Sequence, residues 1–138
     1  MRAAGPLRGR RILIIEDDDD TREAFRRLLE SRGAHVMVAA DGLEGLVQLD
    51  RRRPDAILCD LAMPIMDGIE FARHMRNDPR YRKVLLIAIT GRGRQGDFTD
   101  TWSVGFDGHL VKPLTEDSLH ALTQRLARHA TSRTGHGA

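Results

Sequence analysis

The sequence has little cysteine, little lysine and no long apolar run. A single cysteine, Cys59, has no partner for an internal disulfide and excludes a cysteine-rich metal site, which is typical of a protein in a reducing cytoplasm. The longest apolar run, residues 84–89, is too short to span a bilayer, and no apolar stretch of leader length follows the N-terminal arginines. We therefore expect a cytoplasmic protein that is not inserted in a membrane.

The charges nearly cancel in number but not in position. The chain has 22 basic and 20 acidic side chains, a net charge of +2. Residues 1–15 carry +4, residues 16–20 carry −5, and residues 121–138 carry +3, whereas the stretches between them are balanced. The basic excess lies at the chain ends and no basic helix is interleaved with aromatics, so the pI of about 9.2 does not indicate a nucleic-acid surface. The five successive carboxylates at 16–20 need an explanation.

Short apolar runs alternate with amphipathic stretches along the chain. Ile12 to Ile15 is continuous and mostly β-branched, which is typical of a strand buried on both faces. Asp19 or Asp20 is a candidate N-cap for the helix that follows. The same patterns predict further strands at 36–40, 56–59, 84–89 and 109–111, and helices at 19–32, 41–53, 67–77, 96–105 and 115–129. Threonine, serine and flanking glycines make the fourth of these helices weak.

Strict alternation of five strands and helices predicts an α/β protein with a parallel sheet and helices on both faces. At 138 residues the favoured architecture is a doubly wound five-stranded sheet with the flavodoxin-like strand order 2-1-3-4-5. We expect one domain at residues 10–129, between a flexible basic tail at 1–9 and a flexible tail at 130–138. In such folds ligands bind beyond the carboxyl ends of the strands.

Polar side chains stand at four of the predicted strand ends. Glu16 and Asp17 follow the first strand, Asp60 the third, Thr90 the fourth and Lys112 the fifth. The three carboxylates and one ammonium sum to −2, and clustered like charges are costly unless they are neutralised. One divalent cation would balance them, and oxygen ligands of this kind suit Mg²⁺. Residues 18–20 are interpreted as a solvated loop and helix cap instead.

The chain resembles the receiver domains of two-component response regulators over residues 10 to 128. The resemblance is carried by the acidic run 16–18, Asp41-Gly42, the segment Asp60-Leu61-Ala62-Met63-Pro64-Ile65-Met66-Asp67-Gly68, Thr90-Gly91, Gly105-Phe106-Asp107 and Lys112-Pro113. The Asp60-to-Gly68 segment is highly specific when it occurs with the acidic pair and Lys112-Pro113.

The resemblance implies a role for each residue at the strand ends. Asp60 would accept a phosphoryl group, and Lys112 would pair with its oxygens. Asp17, Asp60 and the Ala62 carbonyl would hold Mg²⁺, with Mn²⁺ as a substitute, and Glu16 would act through a metal-bound water. Thr90 would be the switch hydroxyl. His109 stands where the family more often has Tyr or Phe, and it is the second switch candidate.

Other departures from the family concern the phosphate lifetime. Glu16-Asp17 replaces a pair of aspartates that is common in the family, Ala62 has no side chain to orient water, and Arg92 adds a cation near the phosphoryl site. We expect no enzymatic activity beyond Mg²⁺-dependent self-phosphorylation and autodephosphorylation.

The resemblance also implies partners. The phosphoryl donor would be a histidine kinase or a histidine phosphotransfer protein, and the output would be contact with a downstream protein, not with nucleic acid or a membrane. No output domain is expected, because only about nine residues follow the last predicted helix. The chain would be a monomer, or a weak dimer through the fourth helix, fifth strand and fifth helix.

Three alternatives differ in class. A receiver-like interaction module would work without phosphorylation. A phosphohydrolase with an aspartate nucleophile would need a second Asp two residues later, where this chain has Ala62. A flavin-binding protein would need a Gly- and hydroxyl-rich phosphate loop where this chain has its acidic run.

Overall fold

The computed structural model describes residues 5–91 and 99–137, with side chains given for 5–91 and 101–129. It contains five parallel strands in the order β2-β1-β3-β4-β5. This is the predicted doubly wound α/β arrangement. The strands are β1 Arg11–Ile15, β2 His35–Ala39, β3 Ala56–Asp60, β4 Leu85–Thr90 and β5 Gly108–Val111, and the helices are α1 Asp19–Ser31, α2 Gly42–Arg51, α3 Gly68–Arg76, α4 Thr99–Val104 and α5 Glu116–Gly137.

Alternate residues of the central strands supply two separate cores. Leu13 and Ile57 point to the layer that contains Phe71 of α3, whereas Ile14 and Leu58 point to the layer of α1 and α5. Because both faces of a parallel sheet are covered, β1, β3 and β4 are almost wholly apolar. Their carboxyl ends are therefore fixed in a rigid frame.

Aspartates start three of the helices. Asp67 and Glu70 form a capping box at α3, and the Asp41 side chain accepts a hydrogen bond from the Glu44 amide at α2. At α1 the cap is Asp18, whose side chain accepts from the Thr21 amide at 2.8 Å. The prediction of Asp19 or Asp20 as the N-cap is therefore wrong. Asp18 is the cap, because its carboxylate accepts from the amide of the third residue after it.

From Gly5 onward, the N-terminal segment packs against the domain and is not the flexible tail predicted for residues 1–9. The side chain of Leu7 is fully buried in the core under α1, and its amide donates to the Arg32 carbonyl at 2.8 Å. A side chain at Gly5 would collide with the Arg32 backbone. Residues 1–4 lie outside the described part, and the limits of the domain stay a prediction.

Two helices end differently from the prediction. The helix predicted at 96–105 is described only as α4, from Thr99 to Val104, and residues 92–98 lie outside the described part. The last helix, predicted to end near residue 129, continues to Gly137, so the segment predicted as a flexible C-terminal tail is helical in its backbone. No helix in the described residues is both long and apolar enough to cross a membrane.

Candidate functional site

The five residues predicted at the strand ends lie at the carboxyl edge of the sheet. Asp60 is the last residue of β3 and Thr90 the last of β4, and these strands are neighbours. Glu16 follows β1 on the other side of β3, and Lys112 follows β5. The Lys112 amide donates to the Thr90 carbonyl at 2.8 Å, so the two strand ends are joined. The parallel topology alone accounts for this convergence.

Lys112 links two of the carboxylates. Its Nζ lies 2.8 Å from Glu16 Oε1 and donates to Asp60 Oδ2 at 3.0 Å. Burial disfavours the ammonium, but the contacts with Glu16 and Asp60 outweigh it, so the pKa of Lys112 is raised. Burial raises the pKa of Glu16, which Lys112 opposes only in part. The lysine therefore balances part of the negative charge and leaves an acidic site.

Asp60 is held at both oxygens. Oδ2 accepts from Lys112, and Oδ1 accepts from the Ala62 amide at 3.1 Å. The following loop returns over the strand end, where a side chain at Gly68 would come within 2.6 Å of the Asp60 carbonyl. A glycine at that position thus allows α3 to start against β3. The carboxylate is 7% exposed, and so it is accessible only from the mouth of the site.

Three carboxylates could hold a metal ion. One oxygen from each of Glu16, Asp17 and Asp60 lies within 4.8 Å of the others. Glu16 is only 1% exposed, and Lys112 is the one cation paired with it in the described residues. Oxygen donors, excess negative charge and burial of Glu16 fit Mg²⁺ or Mn²⁺.

Asp18 and Asp19, which follow the carboxylate pair in the acidic run, have structural roles at the start of α1. Asp18 caps α1, and its hydrogen bonds with Thr21 lower its pKa. Arg22 donates to the Glu16 carbonyl at 2.8 Å and pairs with Asp19 at 2.5 Å. These contacts fix the chain direction just after Glu16 and Asp17, and so they orient this carboxylate pair.

His109 in β5 contacts α4. Its Nε2 is 2.7 Å from Thr101 Oγ1, and its ring meets the Trp102 ring edge-on at 4.8 Å between centroids. Burial lowers the pKa of His109, so its ring is neutral at pH 7. The contact with Thr101 was not predicted, because a threonine in a short helix carries no sequence signal for a buried partner.

Cys59, next to Asp60, is buried and not part of the site's polar surface. Its thiol is fully enclosed, and burial together with the charge of Asp60 raises its pKa well above the usual range. The strand predicted at 56–59 therefore places the Cys59 thiol inside the core.

Comparison with known proteins agrees with this geometry. The family model for the response regulator receiver domain matches residues 12–124. An uncharacterised 14.6 kDa protein of Leptolyngbya boryana is 38% identical over 114 residues, which are 83% of this chain and 87% of that protein. The response regulator MprA of Mycolicibacterium vanbaalenii is 35% identical over 92% of this chain, but the match spans only 54% of MprA.

Solved structures are similar over most of the chain. Chemotaxis protein CheY4 of Vibrio cholerae has a TM-score of 0.78 at 29% identity, covering 85% of this chain and 98% of CheY4. The receiver domain of sensor histidine kinase PA1611 from Pseudomonas aeruginosa has a TM-score of 0.77 at 33% identity, covering 86% of this chain and 97% of that domain. That structure has a magnesium ion coordinated in its active-site cleft. The chain described here belongs to the response regulator receiver domain family, whose proteins act in two-component signalling.

Proposed function

We propose that this receiver domain takes a phosphoryl group onto Asp60 from a phosphohistidine and signals by protein contact. The observation that carries the proposal is the setting of the Asp60 carboxylate. It is bound by Lys112 and by the Ala62 amide, lies beside Glu16 and Asp17, and opens to solvent only at the carboxyl edge. The donor would be a histidine kinase or a histidine phosphotransfer protein.

The transfer is a substitution at phosphorus. One Asp60 oxygen forms a bond to phosphorus, the bond from phosphorus to the donor imidazole nitrogen breaks, and the nitrogen keeps the electron pair. Lys112 would remain against the phosphoryl oxygens as a point charge. The Ala62 amide donor fixes the carboxylate plane, which aligns the attacking oxygen. A phosphohydrolase with an aspartate nucleophile would require an acid or base at position 62, where this chain has Ala62.

Magnesium would be held by Asp17, Asp60 and the Ala62 carbonyl, with Glu16 acting through water. When bound, it would neutralise the charge of the phosphoryl oxygens, with Mn²⁺ as a substitute. The three carboxylates within 4.8 Å of one another, with one lysine to balance them, support this assignment. A magnesium ion in the cleft of the related PA1611 receiver domain supports it too.

The signal would leave through α4, β5 and α5. Thr90 ends β4 beside β5, and its hydroxyl would turn toward the phosphoryl group. The contacts of His109 with Thr101 and Trp102 join β5 to α4, so a movement of the β4 end would reach both elements. Trp102 and Val111 are 52% and 53% exposed and offer apolar contacts to a partner, or to a second copy in a weak dimer.

The partners and output of whole relatives are not carried over. The chain spans about half the length of the mycobacterial response regulators that it matches. One similar structure is the receiver domain of a signal transduction histidine kinase from Syntrophus aciditrophicus, which supports a kinase or relay as the donor side.

Intact-mass spectrometry tests this proposal. The protein is incubated with Mg²⁺ and a small acyl phosphate, and we expect one added phosphate that Asp60→Asn and a chelator abolish. Asp67→Asn is the matched control, because Asp67 lies in the same loop but caps α3. An unmodified mass in wild-type protein that binds Mg²⁺, or an adduct that survives Asp60→Asn, would contradict the proposal.

A further inference from the structure

The amino edge of the sheet, opposite the acidic site, collects basic side chains from distant parts of the chain. Because all five strands are parallel, the loops before them meet at this edge. We define the basic edge as eight exposed cations at the strand starts, the C-terminal end of α2 and the last described turns of α5: Arg8, Arg11, Arg51, Arg52, Arg53, Arg82, Lys83 and Arg128.

The cations of the basic edge are not neutralised locally. Within the described residues none of the eight forms a salt bridge. The acidic groups nearby are bound by other groups: Asp50 and Asp78 pair with Arg80, Asp107 with Arg76 and Glu30 with Arg26, and Asp55 accepts from the Arg11 amide. Apart from that of Asp55, the charges of these acids are thus largely offset by arginines outside the set, and the eight cations leave an excess of positive charge facing solvent.

Contacts and grooves join these cations into one surface. Arg11 and Arg52 line a groove of about 540 Å³ with His35, and Arg8 lines a groove of about 610 Å³ with the same histidine. Glu30 lines both grooves and is paired with Arg26. Arg53 donates to the Arg80 carbonyl at 3.4 Å. These contacts connect the loop before β3 with the turn that leads into β4.

The far end of the edge is joined in the same way. The Lys83 carbonyl accepts a hydrogen bond from the His129 ring, and a groove of about 290 Å³ beside it is lined by Leu85, Arg128 and Asp107, which is paired with Arg76. The basic edge therefore runs across the starts of the neighbouring strands β1, β3 and β4 to the end of α5. At about 4.8 Å between strands, this distance is roughly 10 Å, over which a duplex presents several phosphates.

The composition of the edge favours one class of partner. The large exposed apolar side chains of the described residues all lie elsewhere: Leu43, Val47, Ile65, Trp102 and Val111. The edge thus lacks the apolar anchors on which stable protein interfaces depend. Its one phenyl or indole ring in the described residues, that of Tyr81, is buried under Arg80, which leaves only histidine rings to stack on the bases of a single strand.

We propose that the basic edge binds the phosphate backbone of duplex DNA without reading its sequence. Seven of the eight cations are arginines, whose planar guanidinium groups bind phosphate oxygens at two points. The proposal runs against the sequence prediction of no direct nucleic-acid contact. That prediction used charge sums along the chain, in which the basic residues of this edge are balanced in part by acids, such as Asp41 and Asp60, that lie at the opposite edge of the sheet. The proposed binding of duplex DNA does not depend on phosphorylation of Asp60.

Fluorescence anisotropy of a labelled duplex, measured over a salt series, tests the proposal. We expect micromolar affinity near 50 mM salt and a linear fall of log K with log salt. Arg52→Gln/Arg82→Gln should flatten that slope by about 1.8, since each phosphate contact contributes about 0.9. The matched control is Arg27→Gln/Arg73→Gln, which removes the same charge from α1 and α3, where both side chains are exposed. Its slope should stay within about 0.5 of wild type.

Three competing results would overturn the proposal. Equal loss of slope in both double variants would show that net charge, not this edge, attracts the duplex. Binding of a polyglutamate peptide or of phosphatidylserine vesicles as tight as that of the duplex would show an acidic protein or a membrane as the partner class. Tighter binding of single-stranded than of duplex DNA would show that the partner is a single strand whose bases stack on the edge, for example on His35. Circular dichroism melts confirm that each variant is folded.

Discussion

The two edges of the same sheet differ in how they hold charge. At the carboxyl edge, Glu16, Asp60 and Lys112 are mostly buried and contact one another directly. At the amino edge, cations such as Arg52 and Lys83 are exposed and form no salt bridge within the described residues. Buried charge is sensitive to each partner, whereas exposed charge acts as a sum. The first arrangement suits chemistry at one atom, and the second suits attraction of a charged polymer.

Arg76 gives the strongest test of burial as the deciding factor. It lies behind the amino edge but is mostly buried, and it donates to the Gly105, Tyr81 and Arg82 carbonyls and pairs with Asp107 at 3.0 Å. Arg76→Met should lower the free energy of unfolding by about 3 kcal/mol, because these acceptors lose their donor. Urea unfolding measures this loss. Arg73→Met, exposed on the same helix, should change it by less than about 0.5 kcal/mol. Equal losses of unfolding free energy in Arg76→Met and Arg73→Met would show that burial does not decide how much an arginine contributes to stability.

The two lysines of the chain compare the edges directly. Lys112→Met should cost about 2 kcal/mol in metal-free buffer, because Glu16 is left buried beside Asp60 without a cation; the partial exposure of Lys112 reduces the cost below that of a fully buried pair. Lys83→Met, at the amino edge, should change the free energy of unfolding by less than about 0.5 kcal/mol.

A third variant identifies the cause in the lysine comparison. Glu16→Gln/Lys112→Met should recover most of the loss, because the buried charge has been removed along with its partner. A double variant as unstable as Lys112→Met would show that Lys112 acts through packing of its stem. Chemical denaturation of all four proteins at one ionic strength provides the comparison.

The fold and the two edges were not equally predictable from the sequence. Strand ends are local features, so Glu16, Asp60, Thr90 and Lys112 could be located before their contacts were known. Leu7 could not be placed in the core, because it stands alone among arginines and glycines and is buried by residues distant in the sequence. The basic edge was hidden for the same reason: its four segments, at residues 8–11, 51–53, 82–83 and 128, come together only in the folded chain.

Magnesium should stabilise the folded protein by binding at the carboxyl edge alone. At ten times its dissociation constant, Mg²⁺ should add about 1.4 kcal/mol to the free energy of unfolding, because it binds the folded state alone. Asp17→Asn should remove this gain, and Arg52→Gln/Arg82→Gln should keep it. Thermal melts with and without chelator measure the difference. A gain that persists in Asp17→Asn would place the ion elsewhere.

The smallest expected effect lies at His109, between the two edges. Burial lowers its pKa in the folded state, so the unfolded chain binds a proton more readily there. Its contribution to stability is thus present above the ordinary pKa of about 6.5 and is lost as pH falls below it. Trp102 emission should change over the same range, since the rings are in contact. His109→Asn should abolish this emission change; an unchanged titration would assign it to another group.

The identity of the phosphorylated residue tests the central claim most directly. Protein treated with Mg²⁺ and an acyl phosphate is reduced with borohydride, which converts an aspartyl phosphate to homoserine, and its peptides are sequenced by mass spectrometry. The account predicts homoserine at position 60 and unchanged aspartate at positions 17 and 67. Homoserine at either of those positions, with position 60 intact, would contradict it.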